Sequence, residues 1–493
     1  MGILKRIKYL IHFLRGEDGT FQKKTVRSVS WVGITGIFTN ILLLIRGIIL
    51  ARLLTPEIFG LMSICLIVIR AFDIFTETGI YTELIQRQKR YEEAKDTAFA
   101  LMIIRGIFLA VIMVLMAPFV ANYYEEDVLN LALKVIAVSF IFSGISNVNT
   151  VGLQRELNFK RLSYLEQAQG ISNFLIVVML AYYLRNVWAL VLGHVIASLL
   201  GSILSYVIVP VRPSLRFNAH IAKEMFHYGK YITGLSVVVF VTTEIDNVII
   251  GKILGMEALG HYVLAYTLAN IPATHISKVI SRALFPAYSV LQDNQRALQD
   301  IFLKTLKIIS YITIPAAAGL AILAPEIVRV IYGDKWMPAV SSLVVLSLFG
   351  CLRSLGSIQG YLYNAIGKPK ISFFMNSAKL VLILVLIIPL TSRYALVGAS
   401  LAVTIPILIQ SIAGLFILRK VIGISLVKML NTLFFPSIYS GIMCVVIFFA
   451  KKGFPMVNAI ELSFLIILGM LVYFILSRKE ILSNIQELRT AIR

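Results

Sequence analysis

Charge is scarce in this chain. Only 14% of its 493 residues are Asp, Glu, Lys or Arg, against roughly a quarter in soluble domains, and that shortfall excludes the water-soluble class. Acids are the scarcer sign: 25 Asp+Glu stand against 46 Lys+Arg, for a net charge of +21. Cysteine is nearly absent. Cys65, Cys351 and Cys444 all fall inside apolar stretches, so neither a disulfide framework nor a Cys-based zinc site is supported. No GxxxxGK[ST] occurs, which removes ATP hydrolysis in cis as an energy source. The connections between apolar runs are too short to hold a folded domain. A membrane-embedded polymerase, ligase or glycosyltransferase is excluded with them, because its catalytic constellation needs such a loop. No catalytic or metal-ligand spacing is present.

What is abundant is apolar. Hydrophobic residues make up 58% of the chain and mean hydropathy is +0.86. At roughly 20 apolar residues per crossing, the expectation is an all-α polytopic membrane protein. Fourteen transmembrane helices are expected, at 28–50, 61–82, 97–120, 128–153, 163–183, 187–209, 229–250, 259–277, 305–325, 339–365, 371–390, 396–418, 429–450 and 458–477. Lys and Arg concentrate in alternate connections, so the positive-inside rule puts both termini in the cytoplasm. In a soluble protein the same basicity would point to nucleic acid. Here nearly all of it orients the chain, and no nucleic-acid partner is expected.

The first 27 residues lack a cleavage site. Ile3, Ile7, Leu10, Ile11 and Leu14 recur at helical spacing beside Lys5, Arg6, Lys8 and Arg15. Two readings stay open, a basic amphipathic helix on membrane lipids and a basic tail that only fixes topology.

An internal repeat organises the spans. ARLLTPEIFG (51–60) aligns without gaps on GKILGMEALG (251–260), matching Leu54, Glu57 and Gly60 to Leu254, Glu257 and Gly260. Each copy follows one span and precedes another. The domains expected are therefore a cytoplasmic N-terminus (1–27), an N-lobe of six helices (28–210), a cytoplasmic linker (211–228), a C-lobe of six (229–418), two appended helices (419–477) and a cytoplasmic tail (478–493). Lobes repeated in the same direction imply an axis along the membrane normal and alternating access.

Charges inside spans are the functional candidates, since each costs at least ~2.5–3.5 kcal/mol at the bilayer centre unless it faces a cavity or a partner. Arg46, Arg70, Arg105 and Arg353, with Lys134 and Lys379 behind them, are the candidates for holding an anionic substrate, because a guanidinium replaces lost hydration with bidentate hydrogen bonds. The competing reading is neutralisation by a neighbouring acid. Arg70, Asp73 and Glu77 share one helix face at i, i+3 and i+7. Lys307 and Lys379 read as snorkelling lysines. Asp246, Asp73 and Glu77 are the candidates for ion coupling or gating. Asp246 stands opposite Arg46 in the repeat and is expected to face the cavity, whereas Glu244, two residues earlier, points about 200° away. Pro272, Pro315 and Pro406 mark kinks.

At this point the residues carry a resemblance. ARLLTPEIFGLM (51–62), ETGIYTELIQRQ (77–88), LQRELNFKRL (153–162) and DNVIIGKILGMEALGHYVLAY (246–266) resemble polysaccharide exporters of the Wzx type. These belong to the multidrug/oligosaccharidyl-lipid/polysaccharide flippase superfamily, and the branch is similar to the colanic acid and teichuronic acid exporters. The resemblance implies a V-shaped pair of lobes and movement of an undecaprenyl-pyrophosphate-linked oligosaccharide across the bacterial cytoplasmic membrane. It implies no enzyme activity and no cofactor beyond a coupling H+ or Na+. Polysaccharide polymerase machinery is the protein partner to expect. Two alternatives stand beside it: an ion-coupled drug or metabolite antiporter of the same superfamily, and a peptidoglycan-precursor flippase.

Overall fold

The structure is a computed structural model that describes residues 21–76, 80–87, 90–156, 158–454 and 458–492. Among these residues the only regular element is helix, as a bilayer demands of a chain whose every backbone N–H must be bonded internally. The N-terminal segment expected to lie on the membrane falls outside them up to residue 20. The protein is an all-α polytopic membrane protein, and its helices form two compact units, the first from residues through Leu54 with Ile64–Phe240, the second from Thr55–Ser63 with Val241–Arg493.

The first unit contains α1 (Phe21–Leu53), most of α2 (Pro56–Thr76), α3 (Ile80–Gln86), α4 (Tyr91–Tyr124), α5 (Asp127–Gly144), α6 (Thr150–Arg155), α7 (Phe159–Leu184), α8 (Val187–Ile208) and the start of α9 (Ala219–Ala269). The span expected over 128–153 ends at Gly144 instead. Here side chains compete with the helical ladder: the Asn147 N–H donates to Ser205 Oγ at 2.9 Å, and its amide donates to the carbonyls of Val209 and Val211 at 2.7 and 3.0 Å. These bonds, with Asp96 accepting from both N–H and Oγ of Ser214 at 3.1 and 2.9 Å, fasten the segment 209–218 to α4 and to the connection that follows α5. Ile221, Ala222 and Met225 then bury against Ile80, Leu84, Ala94 and Ala98.

The second unit holds the rest of α9, a π-helical turn (Pro272–Ser277), α10 (Lys278–Val290), α11 (Gln295–Ile322), α12 (Ala324–Ile327), α13 (Ala339–Ala365), α14 (Pro369–Ile422), α15 (Leu426–Lys451) and α16 (Ala459–Ile492). Two of these are pairs of helices run together. α9 breaks at Gly255, with φ +83°, and α14 at Tyr394–Ala395. Both breaks fall where the sequence separates successive spans. Pro272 opens the π turn, as a proline that denies the helix a hydrogen bond would. Nine helices among the described residues are long and apolar enough by themselves to cross a membrane.

The repeated segments meet inside the second unit. The first turns of α2 cross 256–260 so closely that a methyl group at Gly60 would lie 1.9 Å from the Met256 carbonyl oxygen, and one at Gly260 would lie 1.8 Å from that of Pro56. Met256 is the repeat equivalent of Pro56, so the two contacts are reciprocal. Only glycine lets the backbones approach this far. Beside the crossing, Trp336 is fully buried, edge-on to Phe59 at 5.1 Å and to His261 at 5.7 Å between ring centroids.

Candidate functional site

In the second unit, α9 presents Tyr262 and Tyr266 at i and i+4, and Asn270 follows just past its C-terminal end, at i+8. α13 presents Phe349 and Arg353 at i and i+4. The two helices are drawn together at Gly350, where a methyl group would lie 1.9 Å from the Ala269 carbonyl oxygen. Across this approach the Arg353 Nη1 donates to Tyr266 Oη at 2.8 Å and to Asn270 Oδ1 at 2.9 Å. The guanidinium carbon also stands 5.9 Å from the Phe349 ring centroid. Asn270 is itself fixed by donating to the Tyr266 carbonyl at 2.9 Å. Every one of these partners is neutral. Arg353 is thus oriented by neutral groups and makes no ion pair among the described residues, and Lys379 on α14 is half-buried.

One turn further along the same face lies a set of acceptors. Tyr262 Oη donates to Asp246 Oδ2 at 2.7 Å, bridging the two halves of α9 across the Gly255 break, and the Asn247 N–H donates to Asp246 Oδ1 at 2.9 Å. Asn247 Nδ2 donates to Glu244 Oε2 at 3.0 Å, leaving its own Oδ1 buried without a donor. Asp246 and Glu244 are 2% and 6% exposed, so Asp246, expected to face a cavity, is instead enclosed by its own unit. Glu244, Asp246 and Asn247 thus form a buried, hydrogen-bonded group of oxygens. Among the described residues no group of three or more His, Cys, Asp or Glu could hold a metal ion.

The candidates of the first unit are more fully engaged. Arg105 spends its guanidinium on one neighbour, α2: Nε donates to Thr76 Oγ1 at 2.9 Å, and Nη2 to the Asp73 carboxylate at 2.9 Å and carbonyl at 3.2 Å. Asp73 therefore pairs across helices with Arg105, while Arg70, on its own helix, reaches back to the Leu66 carbonyl at 3.3 Å. Glu77 lies outside the described residues. Arg46 on α1 donates to Asn173 Oδ1 on α7, and His194 on α8 lies within reach of its charge. Arg46 and Asp246 each find hydrogen-bond partners inside their own unit. Lys134 on α5 is half-buried with no hydrogen-bond or ion-pair partner among the described residues.

Charge inside a span was the signal that found Arg353. Tyr262, Tyr266 and Asn270 were missed, because neutral polar residues in an apolar run carry no charge cost to announce them. Their i, i+4, i+8 spacing on one face was the available sign.

The comparisons agree with this architecture. A family model described as Polysaccharide biosynthesis protein matches residues 49–341. The lipopolysaccharide biosynthesis protein WzxC of Escherichia coli K12 is 26% identical over 85% of this chain and 85% of its own length. The teichuronic acid biosynthesis protein TuaB of Bacillus subtilis 168 is 24% identical over 92% of this chain and 95% of its own. Among solved structures, the lipid II flippase MurJ in an inward closed conformation aligns with a TM-score of 0.73 at 18% identity, covering 93% of this chain and 99% of that one. That likeness is one of fold. The chain belongs to the polysaccharide biosynthesis protein family.

Proposed function

We propose that the protein moves an undecaprenyl-pyrophosphate-linked oligosaccharide repeat unit across the bacterial cytoplasmic membrane by alternating access, with both termini cytoplasmic, for surface or exopolysaccharide synthesis. The observation that carries the reading is Arg353, a guanidinium within a span, held through Nη1 by Tyr266 and Asn270 with no ion pair among the described residues. A pyrophosphate that sheds water on entering the membrane needs such donors. Relatives named for lipopolysaccharide and teichuronic acid biosynthesis support the same substrate class. The protein acts as a transporter rather than an enzyme. Glu244 and Asp246 supply the acceptors for a coupling H+ or Na+, and the product passes to polysaccharide polymerase machinery.

Deleting the gene and assigning the leaflet of the lipid-linked repeat unit tests this. The expected result is accumulation on the cytoplasmic leaflet with loss of surface polysaccharide. Unchanged polysaccharide with altered drug tolerance would establish the antiporter reading instead.

A further inference from the structure

A hydroxyl buried on a helix has a ready partner, the carbonyl four residues back. The chain uses it repeatedly. Ser347 donates to the Leu343 carbonyl at 2.7 Å, Ser400 to that of Leu396 at 2.9 Å, Thr404 to Ser400 at 2.7 Å, Ser440 to Pro436 at 2.7 Å and Ser477 to Tyr473 at 2.6 Å. Ser277, Ser281, Thr313 and Ser354 depart from this pattern. Each is 0% exposed, and among the described residues none of the four hydroxyls has a hydrogen-bond partner.

The four converge where the helix that carries Tyr262 and Tyr266 breaks. Pro272 opens the π turn there, and Ser277 ends it at the cap position of α10, where its side chain makes no cap bond. α13 runs alongside in the same direction. Gly350 meets Ala269 at the start of the shared stretch, and further on Ile280 and Leu284 pack into the cluster that holds Ile358 and Leu362. Ser277 and Ser281 fall within that stretch on one side and Ser354 on the other. α11 closes the third side, packed on the π turn, α10 and α13. Its Leu306 and Ile309 enter the same cluster, and Thr313 follows Ile309 by about one turn.

Leaving a buried hydroxyl unbonded costs more than the bond itself contributes, so native structures do it rarely. Four such groups on three helices that pack on one another form a polar seam. Each member is short, uncharged and both donor and acceptor. That chemistry suits water, which settles inside proteins where two to four polar partners surround it. We infer that Ser277, Ser281, Thr313 and Ser354 form an internal water-binding site at the break between α9 and α10. Water there supplies the partners that the helical carbonyls supply to the other buried serines. Asn270, which holds Arg353, stands two residues before Pro272, so the site borders the mounting of that guanidinium.

The test compares Ser277→Ala, Thr313→Val and Ser354→Ala in the full-length protein in lipid nanodiscs, with Ser347→Ala as the control, because that hydroxyl serves its own helix. Deleting a hydroxyl from a dry seam removes a cost, and the melting temperature rises. Deleting one that holds water strands the other partners of that water, and the melting temperature falls. The expected result is a fall of about 1–3 °C in each seam variant, larger than in the control. The Ser277→Ala/Ser354→Ala double variant should lose less than the sum of the singles, since both act on one group of waters. Microsecond X-ray footprinting reads the water in the unaltered protein, because it oxidises side chains beside bound water. Ile358, 0% exposed and one turn from Ser354, should be labelled, and less so in Ser354→Ala. A rise in melting temperature across the three variants, or no label at Ile358, would overturn the inference. So would a wild-type melting temperature that climbs with sodium at constant ionic strength while that of Ser354→Ala does not, the mark of a cation site.

Discussion

Replacing Gly60 by alanine puts a methyl carbon 1.9 Å from the Met256 carbonyl oxygen. Ordinary carbon–oxygen contacts at helix crossings are about 3.3–3.6 Å, so the two backbones must part by about 1.5 Å. The obstacle is main chain and cannot rotate away. Overpacking of this kind costs about 1–3 kcal/mol, set against the ~0.5–1 kcal/mol that Gly→Ala ordinarily gains within a helix. The net expectation is a loss of about 1–2 kcal/mol, read as a lower melting temperature of the purified protein. Gly441→Ala on α15 is the control, since nothing lies within 4 Å of its added carbon and the same propensity gain then stands alone. The reciprocity adds a sharper expectation. Once Gly60→Ala has parted the helices, the methyl of Gly260→Ala finds room, so the double variant should lose less than the sum of the singles, by about 0.5 kcal/mol or more. A Gly60→Ala protein that melts like Gly441→Ala, or a strictly additive double variant, would refute the crossing.

Three further expectations follow from other parts of the molecule. Trp336→Ala empties a fully buried site against Phe59 and His261 and should cost about 3–5 kcal/mol, seen as sharply reduced folded yield, whereas Trp336→Phe should retain most of it. Tyr266→Phe and Asn270→Ala each remove one of the two acceptors that orient Arg353; each should lower transport about tenfold, the equivalent of about 1.4 kcal/mol, with melting temperature nearly unchanged, and equal transport by both variants and the wild type would contradict the assigned role. Glu224 lies outside the spans, and the hydrogen bond from Arg87 at 2.7 Å lowers its pKa. Its contribution is present above the ordinary glutamate value of about 4.3 and lost as pH falls through the lowered folded value, so Glu224→Gln should flatten the acid-side fall in melting temperature, and an unchanged slope would dismiss the pair.

The crossing shows how much the sequence disclosed. Leu54, Glu57 and Gly60 matching Leu254, Glu257 and Gly260 gave the repeat and its offset, but not that the two copies touch. Glycine in an apolar run is silent about its neighbour, because what it contributes is the absence of a side chain. The break at Gly255 was legible between two apolar runs. The end of α5 at Gly144 was not, because hydropathy continues to 153, while Ser146, Asn147 and Asn149 beyond the helix bond to Ser202, Ser205, Val209 and Val211.

The charges divide in the same way. Arg46, Arg70, Arg105, Arg353 and Asp246 could be found from the cost of placing charge in hydrocarbon, a one-dimensional property of a residue in a run. Whether a charge is answered is a three-dimensional property. Asp73 answers Arg105 from the neighbouring helix, and Tyr262 encloses Asp246 from sixteen residues away. Arg353 finds Tyr266 and Asn270, both neutral, on the helix it faces and just beyond its end. Composition and hydropathy by themselves determined the membrane, the helices and the scarcity of acid, because the bilayer acts on each segment separately. Tertiary packing alone decided which cations meet a carboxylate and which meet neutral groups, because that depends on which helix each one faces.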